Sequence, residues 1–340
     1  MLDLYCLRRA LLAACFCASV SNAAIQPSGE CVSTGPREAR KSEAACYSTS
    51  HAGLGRTLRI YAPAHRRGVV PLVFVIHGGG GTGGNMEWLT RRGFNRIADR
   101  DGAVIVYPDG IGKGWNDGRT EVKSEAVRKQ IDDLGYLRVL PQALAAQFPI
   151  DLTRVYATGI SNGGMMSYRL ACDAADVFAA VAPVAANISV ELAPRCRPSR
   201  PVAIAVVNGT DDPLVPWNGG PIKVLWTTRG VVLSTPQTVA RWRTLNRCGE
   251  LETIGTLVDA VPDDGTALLE QTARCAQETE VKVYEIRGGG HTWPNGMPYL
   301  GERLVGRVSR ELDANEAIWR FFARFRLTVP ASASPSSSGQ

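Results

Sequence analysis

The feature that most constrains the fold is a serine flanked by glycines, where an apolar run gives way to a helix-like stretch. Residues 159–163 read Gly-Ile-Ser-Asn-Gly, after the apolar run 155–159 and before the stretch 163–172. In this context the glycines permit a sharp strand-to-helix turn that lifts the serine hydroxyl above a sheet. The segment therefore indicates Ser161 as a nucleophile; a glycine-rich turn with a helix-capping serine is the alternative.

The chain around that segment alternates strand-like and helix-like stretches. Short apolar runs at 71–76, 103–107, 155–159, 202–207 and 281–286 are typical of buried strands. Apolar residues at three- and four-residue steps predict one long helix over 127–148, whereas residues 209–230 are expected to form a loop. This order predicts an α/β fold with a mainly parallel central sheet and helices on both faces.

Both ends of the chain differ from its middle. Two arginines, an apolar run and small residues predict an export signal over residues 1–23, too short to span a bilayer. Lipidation at Cys15 is the alternative. The Ser- and Pro-rich residues 329–340 are expected to be disordered. We therefore expect a secreted protein with one catalytic domain over residues 24–328 and no stable membrane insertion.

Cysteine usage also favours export. Removal of the signal would leave six of the nine cysteines, and an even set is typical of disulfide-bonded exported proteins. The sequence leaves the connectivity open, with buried free thiols as the alternative. The simplest pairing joins successive neighbours: Cys31–Cys46, Cys172–Cys196 and Cys248–Cys275.

Charge and ligand patterns exclude several classes of partner. The formal net charge is +6, but the basic residues are scattered, so we expect no nucleic acid as a partner. No Cys/His cluster has the spacing of zinc ligands, so neither a metal nor another cofactor is expected.

A nucleophilic serine needs a base, and in folds of this type the acid and then the histidine follow it along the chain. His291 is the only one of the four histidines after Ser161, and it follows the strand-like run 281–286. The competitor is His77, but its place beside a glycine run suits loop structure better. We therefore expect His291 to be the base.

The acid is expected after the run 202–207, where two aspartates stand together. Either Asp211 or Asp212 fits this position, and Pro213 favours an extended backbone at Asp212. The chosen carboxylate would hold the histidine in one tautomer and stabilise the imidazolium.

The developing oxyanion of acyl transfer needs hydrogen-bond donors. We expect the backbone amides of Gly79, Gly80 and Asn162 to supply them, because such donors come from the residue after the nucleophile and from a loop after an early strand. A glycine run can also be only a loop.

Other polar and aromatic residues are expected near the site. Three tryptophans are expected on loops at the edge of the site, where they would bind the substrate as an aromatic wall: Trp115, Trp217 and Trp293. The alternative is that they only cover the hydrophobic core. Asp132 and Asp133 would cap a helix or bond to the Trp115 loop.

Together these motifs resemble those of the secreted polyhydroxybutyrate depolymerase family, which is similar to feruloyl and acetylxylan esterases of the α/β-hydrolase superfamily. The segments that carry the resemblance are 72–80, 114–117, 132–136, 159–163, 209–213, 215–217, 219–220 and 290–294. The resemblance implies an α/β-hydrolase fold and Asp212 as the acid, since the family's acid directly precedes the proline. It departs at Gly79, where the family often has another residue.

The resemblance implies a carboxylic ester hydrolase that forms an acyl-enzyme on Ser161. Its substrates would be polyhydroxyalkanoate-type, hydroxycinnamoyl or acetyl esters, small or polymer-linked. An acyltransferase or a peptidase would use the same triad, and a non-catalytic polymer- or glycan-binding relative would not need it.

Overall fold

The structure is a computed structural model that describes residues 24–31, 42–65, 68–224 and 226–328. The predicted export signal, Cys15 and the predicted disordered tail lie outside these residues. The described strands are β1 (Gln26–Pro27), β2 (Ala45–His51), β3 (Leu54–Tyr61), β4 (Val70–Ile76), β5 (Val104–Pro108), β6 (Ile150–Ile160), β7 (Ala180–Val184), β8 (Ala203–Gly209), β9 (Gly220–Val224), β10 (Thr227–Val232), β11 (Glu252–Val258), β12 (Ala267–Arg274) and β13 (Glu280–Arg287). The described helices are α1 (Gly83–Leu89), α2 (Gly93–Asp101), α3 (Glu125–Arg128), α4 (Asp133–Ala145), α5 (Asn162–Asp173), α6 (Thr235–Asn246), α7 (Glu302–Val305) and α8 (Ala314–Phe322).

An 11-stranded sheet organises these elements, in the order β1-β2-β3-β5-β4-β6-β7-β8-β13-β12-β11. Its central strands, from β5 to β13 in that order, all pair in parallel. Antiparallel strands extend both edges. The predicted α/β fold with a parallel centre is therefore confirmed.

Strand β4 shows why both faces of the sheet are covered. All of its residues are buried. Leu72, Phe74 and Ile76 join one hydrophobic cluster with side chains of α4, α5 and α6. Val73 and Val75 join a second cluster with α1, α2 and α8. Because side chains alternate along a strand, an apolar run without polar positions needs a cover on each face.

The prediction of one long helix over 127–148 was wrong. Helix α3 ends at Arg128 and α4 begins at Asp133. Between them Gln130 has a φ of 49°, and the Asp132 carboxylate accepts a 2.8 Å hydrogen bond from the Gly135 amide. A side-chain cap of this kind competes with continuation of the helix, and apolar spacing alone does not register it.

The prediction of a loop over 209–230 was also incomplete, because β9 and β10 form an antiparallel hairpin within it. The pairing of β11 with β12 was missed as well. Every residue of β11 is exposed, so no apolar run marks it. At Gly255 the φ is 74°, within a register shift between Ile254 and Val258.

The three predicted disulfides are present. Cys31 pairs with Cys46, Cys172 with Cys196, and Cys248 with Cys275. The first links the N-terminal segment to β2, and the second joins α5 to the segment before β8. Each closes a local loop at the periphery of the central strands.

The described ranges contain no helix that is both long and apolar enough to cross a bilayer. They also contain no group of three His, Cys, Asp or Glu side chains that could hold a metal ion.

Candidate active site

Ser161 occupies the turn between β6 and α5. Its backbone angles are φ 56° and ψ −120°, a sparsely populated conformation that costs about 1 to 3 kcal/mol. A Cβ added at Gly159 or Gly163 would lie 2.5 Å or 2.2 Å from the Ile76 carbonyl oxygen. The backbone of β4 therefore leaves room only for glycine on either side of Ser161, which remains partly exposed.

The parallel strands bring four loops to one edge of the sheet. His77, Ser161, Asp212 and His291 each follow the carboxyl end of a central strand. Parallel strands end on a common side, which is where ligands bind in sheets of this type. The loops after β8 and β13 touch directly: a Cβ at Gly209 would lie 2.2 Å from the Gly289 carbonyl oxygen.

Asp212 and His291 form a buried pair. Their Oδ2 and Nδ1 atoms are 2.7 Å apart, and the two residues are 7% and 3% exposed. The other carboxylate oxygen of Asp212 accepts 2.8 Å hydrogen bonds from the amides of Leu214 and Val215. These two amides hold the carboxylate in place, so that its Oδ2 accepts from Nδ1 of the ring and Nε2 makes no contact with Asp212.

Of the two candidate acids, the structure brings only Asp212 to the histidine. Asp211 is exposed, and its Oδ1 accepts a 3.0 Å hydrogen bond from the Thr210 hydroxyl. Asp211 thus acts as a turn residue.

Among the contacts of the described residues, none joins the Ser161 hydroxyl to His291. Catalytic hydrogen bonds are often long in free enzymes and tighten when substrate binds. The histidine loop itself is fixed by two backbone contacts. The Tyr299 hydroxyl donates to the His291 carbonyl at 2.9 Å, and the His291 amide donates to the Val305 carbonyl at 2.5 Å. Sequence reasoning missed Tyr299, which no motif marks.

The expected oxyanion donors are reduced to two. A Cβ added at Gly79 would lie 3.8 Å from the Asn162 Cβ, so the glycine loop borders the turn after Ser161. The Gly80 amide, however, donates a 2.7 Å hydrogen bond to the Lys113 carbonyl. That amide is occupied in loop structure, so Gly80 was the wrong choice, and Gly79 with Asn162 remains.

The Asn162 side chain forms hydrogen bonds that hold the loop after β5 in place. Its Oδ1 accepts a 2.8 Å hydrogen bond from the Trp115 amide, and its Nδ2 donates to Asp117 Oδ2 at 2.6 Å. Asp117 also pairs with Arg119 at 2.6 Å, and both side chains are buried. Neither Asp117 nor Arg119 was singled out as functional, although residues 114–117 contributed to the family resemblance.

Two of the three tryptophans do not form the expected aromatic wall. Trp115 is 0% exposed and donates through Nε1 to the His77 carbonyl at 2.9 Å. Trp293 is 1% exposed and packs edge-on against Phe94. Both pack in the core, as the alternative interpretation had it, and only Trp217 offers partly exposed surface.

His77 is buried and bonded to backbone on both sides. Its Nδ1 donates to the Gly78 carbonyl at 2.8 Å, and its Nε2 accepts from the Gly110 amide at 3.0 Å. Burial lowers the pKa of His77. A neutral ring with both nitrogens occupied serves loop structure, as the sequence indicated.

The two neighbouring aspartates take both of the expected roles. Asp132 caps α4. Asp133 accepts a 2.8 Å hydrogen bond from the Asn116 amide and forms a buried 2.6 Å ion pair with Arg56. The Trp115 loop is thereby held from α4 as well as from Asn162.

The chain order Ser161, Asp212, His291 along a parallel sheet defines the α/β-hydrolase class. Within that class, the chain belongs to the esterase family, described as "Putative esterase", whose model matches residues 50–302.

Curated relatives agree with this assignment. The chain is similar to the "Putative esterase NocK" of Nocardia uniformis subsp. tsuyamanensis, with 31% identity over 77% of each chain. It is 28% identical to "Feruloyl esterase B" of Piromyces equi, over 63% of this chain and 38% of that one. The "Bifunctional acetylxylan esterase/xylanase XynS20E" of Neocallimastix patriciarum is 30% identical over 47% of this chain and 22% of its own. The protein is a carboxylic ester hydrolase; none of these names mentions polyhydroxybutyrate, so that narrower resemblance stays a prediction.

Proposed function

We propose that the protein is a secreted serine esterase in which Ser161 is the nucleophile, His291 the base and Asp212 the residue that orients it. The observation that carries the proposal is the buried 2.7 Å contact between His291 Nδ1 and Asp212 Oδ2. It lies at the sheet edge where Ser161 occupies a strained turn.

The reaction follows from these positions. His291 Nε2 takes the hydroxyl proton as Ser161 Oγ attacks the ester carbonyl, and the Asn162 and Gly79 amides stabilise the oxyanion. The tetrahedral intermediate collapses, and His291 gives its proton to the departing alkoxide. Water then attacks the acyl-enzyme by the same sequence, which releases the carboxylic acid and restores Ser161.

The substrates are esters of the hydroxycinnamoyl, acetyl or polyhydroxyalkanoate type. The names of two relatives favour the first two classes, and the motif resemblance favours the third. Since the chain spans only 38% and 22% of those two relatives, the choice rests on direct assay.

Three disulfides support an oxidising compartment, because such bonds persist mainly in exported proteins. We include in the proposal the export signal over residues 1–23 and a single catalytic domain over residues 24–328.

A fluorophosphonate probe tests the nucleophile, because it labels only an activated serine. Wild-type protein is expected to be labelled at Ser161, as located by peptide mapping, and Ser161→Ala is expected to remain unlabelled. Labelling of Ser161→Ala to the wild-type extent would refute the assignment. Assays on methyl ferulate, acetylated xylan, hydroxybutyrate oligomers and p-nitrophenyl esters of graded length would then rank the substrate classes.

A further inference from the structure

The β9–β10 hairpin is attached firmly to the loops around the active site. The Val190 amide donates to the Val231 carbonyl at 3.1 Å, and the Leu233 amide donates to the Ile188 carbonyl at 3.0 Å. These bonds join the hairpin strand β10 to the loop that follows β7. The hairpin is therefore fixed to the loop that follows β7.

A chain of polar contacts links this hairpin to the turn that carries Ser161. Asn162 donates to Asp117, and Asp117 pairs with Arg119. Arg119 in turn donates through Nη1 to the Arg229 carbonyl at 2.6 Å. Each link is a charge-assisted or otherwise short hydrogen bond, which fixes the backbone of Arg229 relative to Asn162.

The Arg229 side chain reaches the glycine loop. A Cβ added at Gly79 would lie 3.8 Å from Arg229 Nη1 and 3.8 Å from the Asn162 Cβ. The guanidinium thus borders Gly79, which also borders Asn162, and these two residues supply the amides proposed to hold the ester carbonyl oxygen. A small anionic group bound with its ester carbonyl at those amides would lie within reach of Arg229.

Arg229 differs from the other arginines around this loop. Arg56 and Arg119 are buried, and each pairs with an aspartate. Arg229 is exposed, and no acidic side chain among the described residues forms an ion pair with it. A guanidinium presents a planar fork of donors that matches a carboxylate. Among the described residues, Arg229 is therefore a cation without an acidic partner beside the proposed oxyanion donors.

We propose that Arg229 is a specificity-determining residue that binds a free carboxylate on the ester substrate. The substrate class is then a half-ester of a dicarboxylic acid, or a short oligoester with a free acid end, whose carboxylate lies a few bonds from the scissile carbonyl. This inference rests on the proposed function, because it assumes that the ester is hydrolysed at Ser161.

A matched pair of esters tests it: monomethyl glutarate carries the carboxylate and dimethyl glutarate does not. Arg229→Gln is expected to lower kcat/KM for the monoester by about tenfold to a hundredfold, the range for a hydrogen bond to a charged group. The diester should change less than about twofold. Arg229→Lys should retain part of the preference, since it keeps the charge but not the fork. Arg326→Gln, an exposed arginine near the C-terminal end of the described chain, controls for net charge.

Added salt gives a second measurement that a merely structural role would not move. In the wild type, monoester kcat/KM should fall with ionic strength, and in Arg229→Gln it should not. An equal loss on both esters, or no change in their ratio, would overturn the assignment of Arg229 while leaving the esterase intact. If the wild type hydrolysed neither ester nor p-nitrophenyl acetate, the proposed function would fail, and this inference with it.

Discussion

Two loops at the same edge of the sheet each carry a buried histidine, one after β4 and one after β13. His77 binds backbone groups through both ring nitrogens. His291 binds the Asp212 carboxylate through Nδ1, and in the proposed mechanism its Nε2 transfers the proton. The two histidines therefore differ in the groups that their ring nitrogens bind, and not in their place on the fold. A ring whose nitrogens are both occupied holds loops together, and a ring with one carboxylate partner can move a proton.

The largest test of this comparison replaces each histidine. His291→Ala is expected to lower kcat by about 10⁵- to 10⁶-fold, as removal of a triad base does elsewhere. His77→Gln should stay within about tenfold of wild type but unfold at a lower temperature. Turnover of a p-nitrophenyl ester and thermal melts measure both effects. A comparable loss of kcat in the two variants would remove the distinction.

The acid partner provides the next test. Asp212→Asn should lower kcat by about 10⁴-fold, because an amide no longer fixes the tautomer of His291. Asp211→Asn should change kcat by less than about threefold, because Asp211 is exposed and bonds to Thr210. Equal losses from the two substitutions would reverse the choice of acid.

A third test concerns the buried ion pair in the loop after β5, which lies next to His77. Asp117→Asn leaves the buried Arg119 without its counter-charge, so the free energy of unfolding should fall by about 3 to 5 kcal/mol. The matched control is Asp176→Asn, which breaks the exposed pair with Arg138 and should cost no more than about 1 kcal/mol. Urea unfolding of both variants measures the loss in the free energy of unfolding. Equal losses would show that the buried pair beside Asn162 contributes no more to stability than the exposed pair.

The smallest effect concerns pH. Burial lowers the pKa of His77, so between that value and the ordinary value of about 6.5 the unfolded chain binds the extra proton. The stabilisation is complete above about pH 6.5. Below it, stability is lost by up to about 1.4 kcal/mol per pH unit, until the folded-state pKa is reached. Urea unfolding at about pH 7 and about pH 5.5 should show a shallower slope in His77→Gln than in the wild type, and identical slopes would contradict this role.

The sequence predicted the central strands well because each is an apolar run bounded by turn residues, as Val70–Ile76 is. It also marked the serine turn, because only glycine fits beside the Ile76 carbonyl. It failed where individual hydrogen bonds within loops and at a helix start decide the structure. The Asp132 cap ended a helix that apolar spacing extended, and the bond from Gly80 to Lys113 removed an expected donor.

Burial was the other limit of sequence reasoning. An aromatic residue on a loop looks the same in sequence whether it faces the ligand or the core. Trp115 and Trp293 face the core, since each indole nitrogen has a buried acceptor. Arg229 was missed for the converse reason, because no local motif shows that its hairpin folds back beside Gly79.

The far edge of the sheet bears on how this protein behaves at high concentration. Within the described part of the chain, no strand pairs with the outer side of β11, and Ile254, Leu257 and Val258 are exposed on this strand. A flat apolar edge of this kind would template pairing with another chain and lead to aggregation. The left-handed Gly255 prevents a continuous ladder by shifting the register between Ile254 and Val258, and bulges of this type twist an edge away from further pairing. One glycine far from the chemistry thus interrupts the regular edge along which another chain would pair.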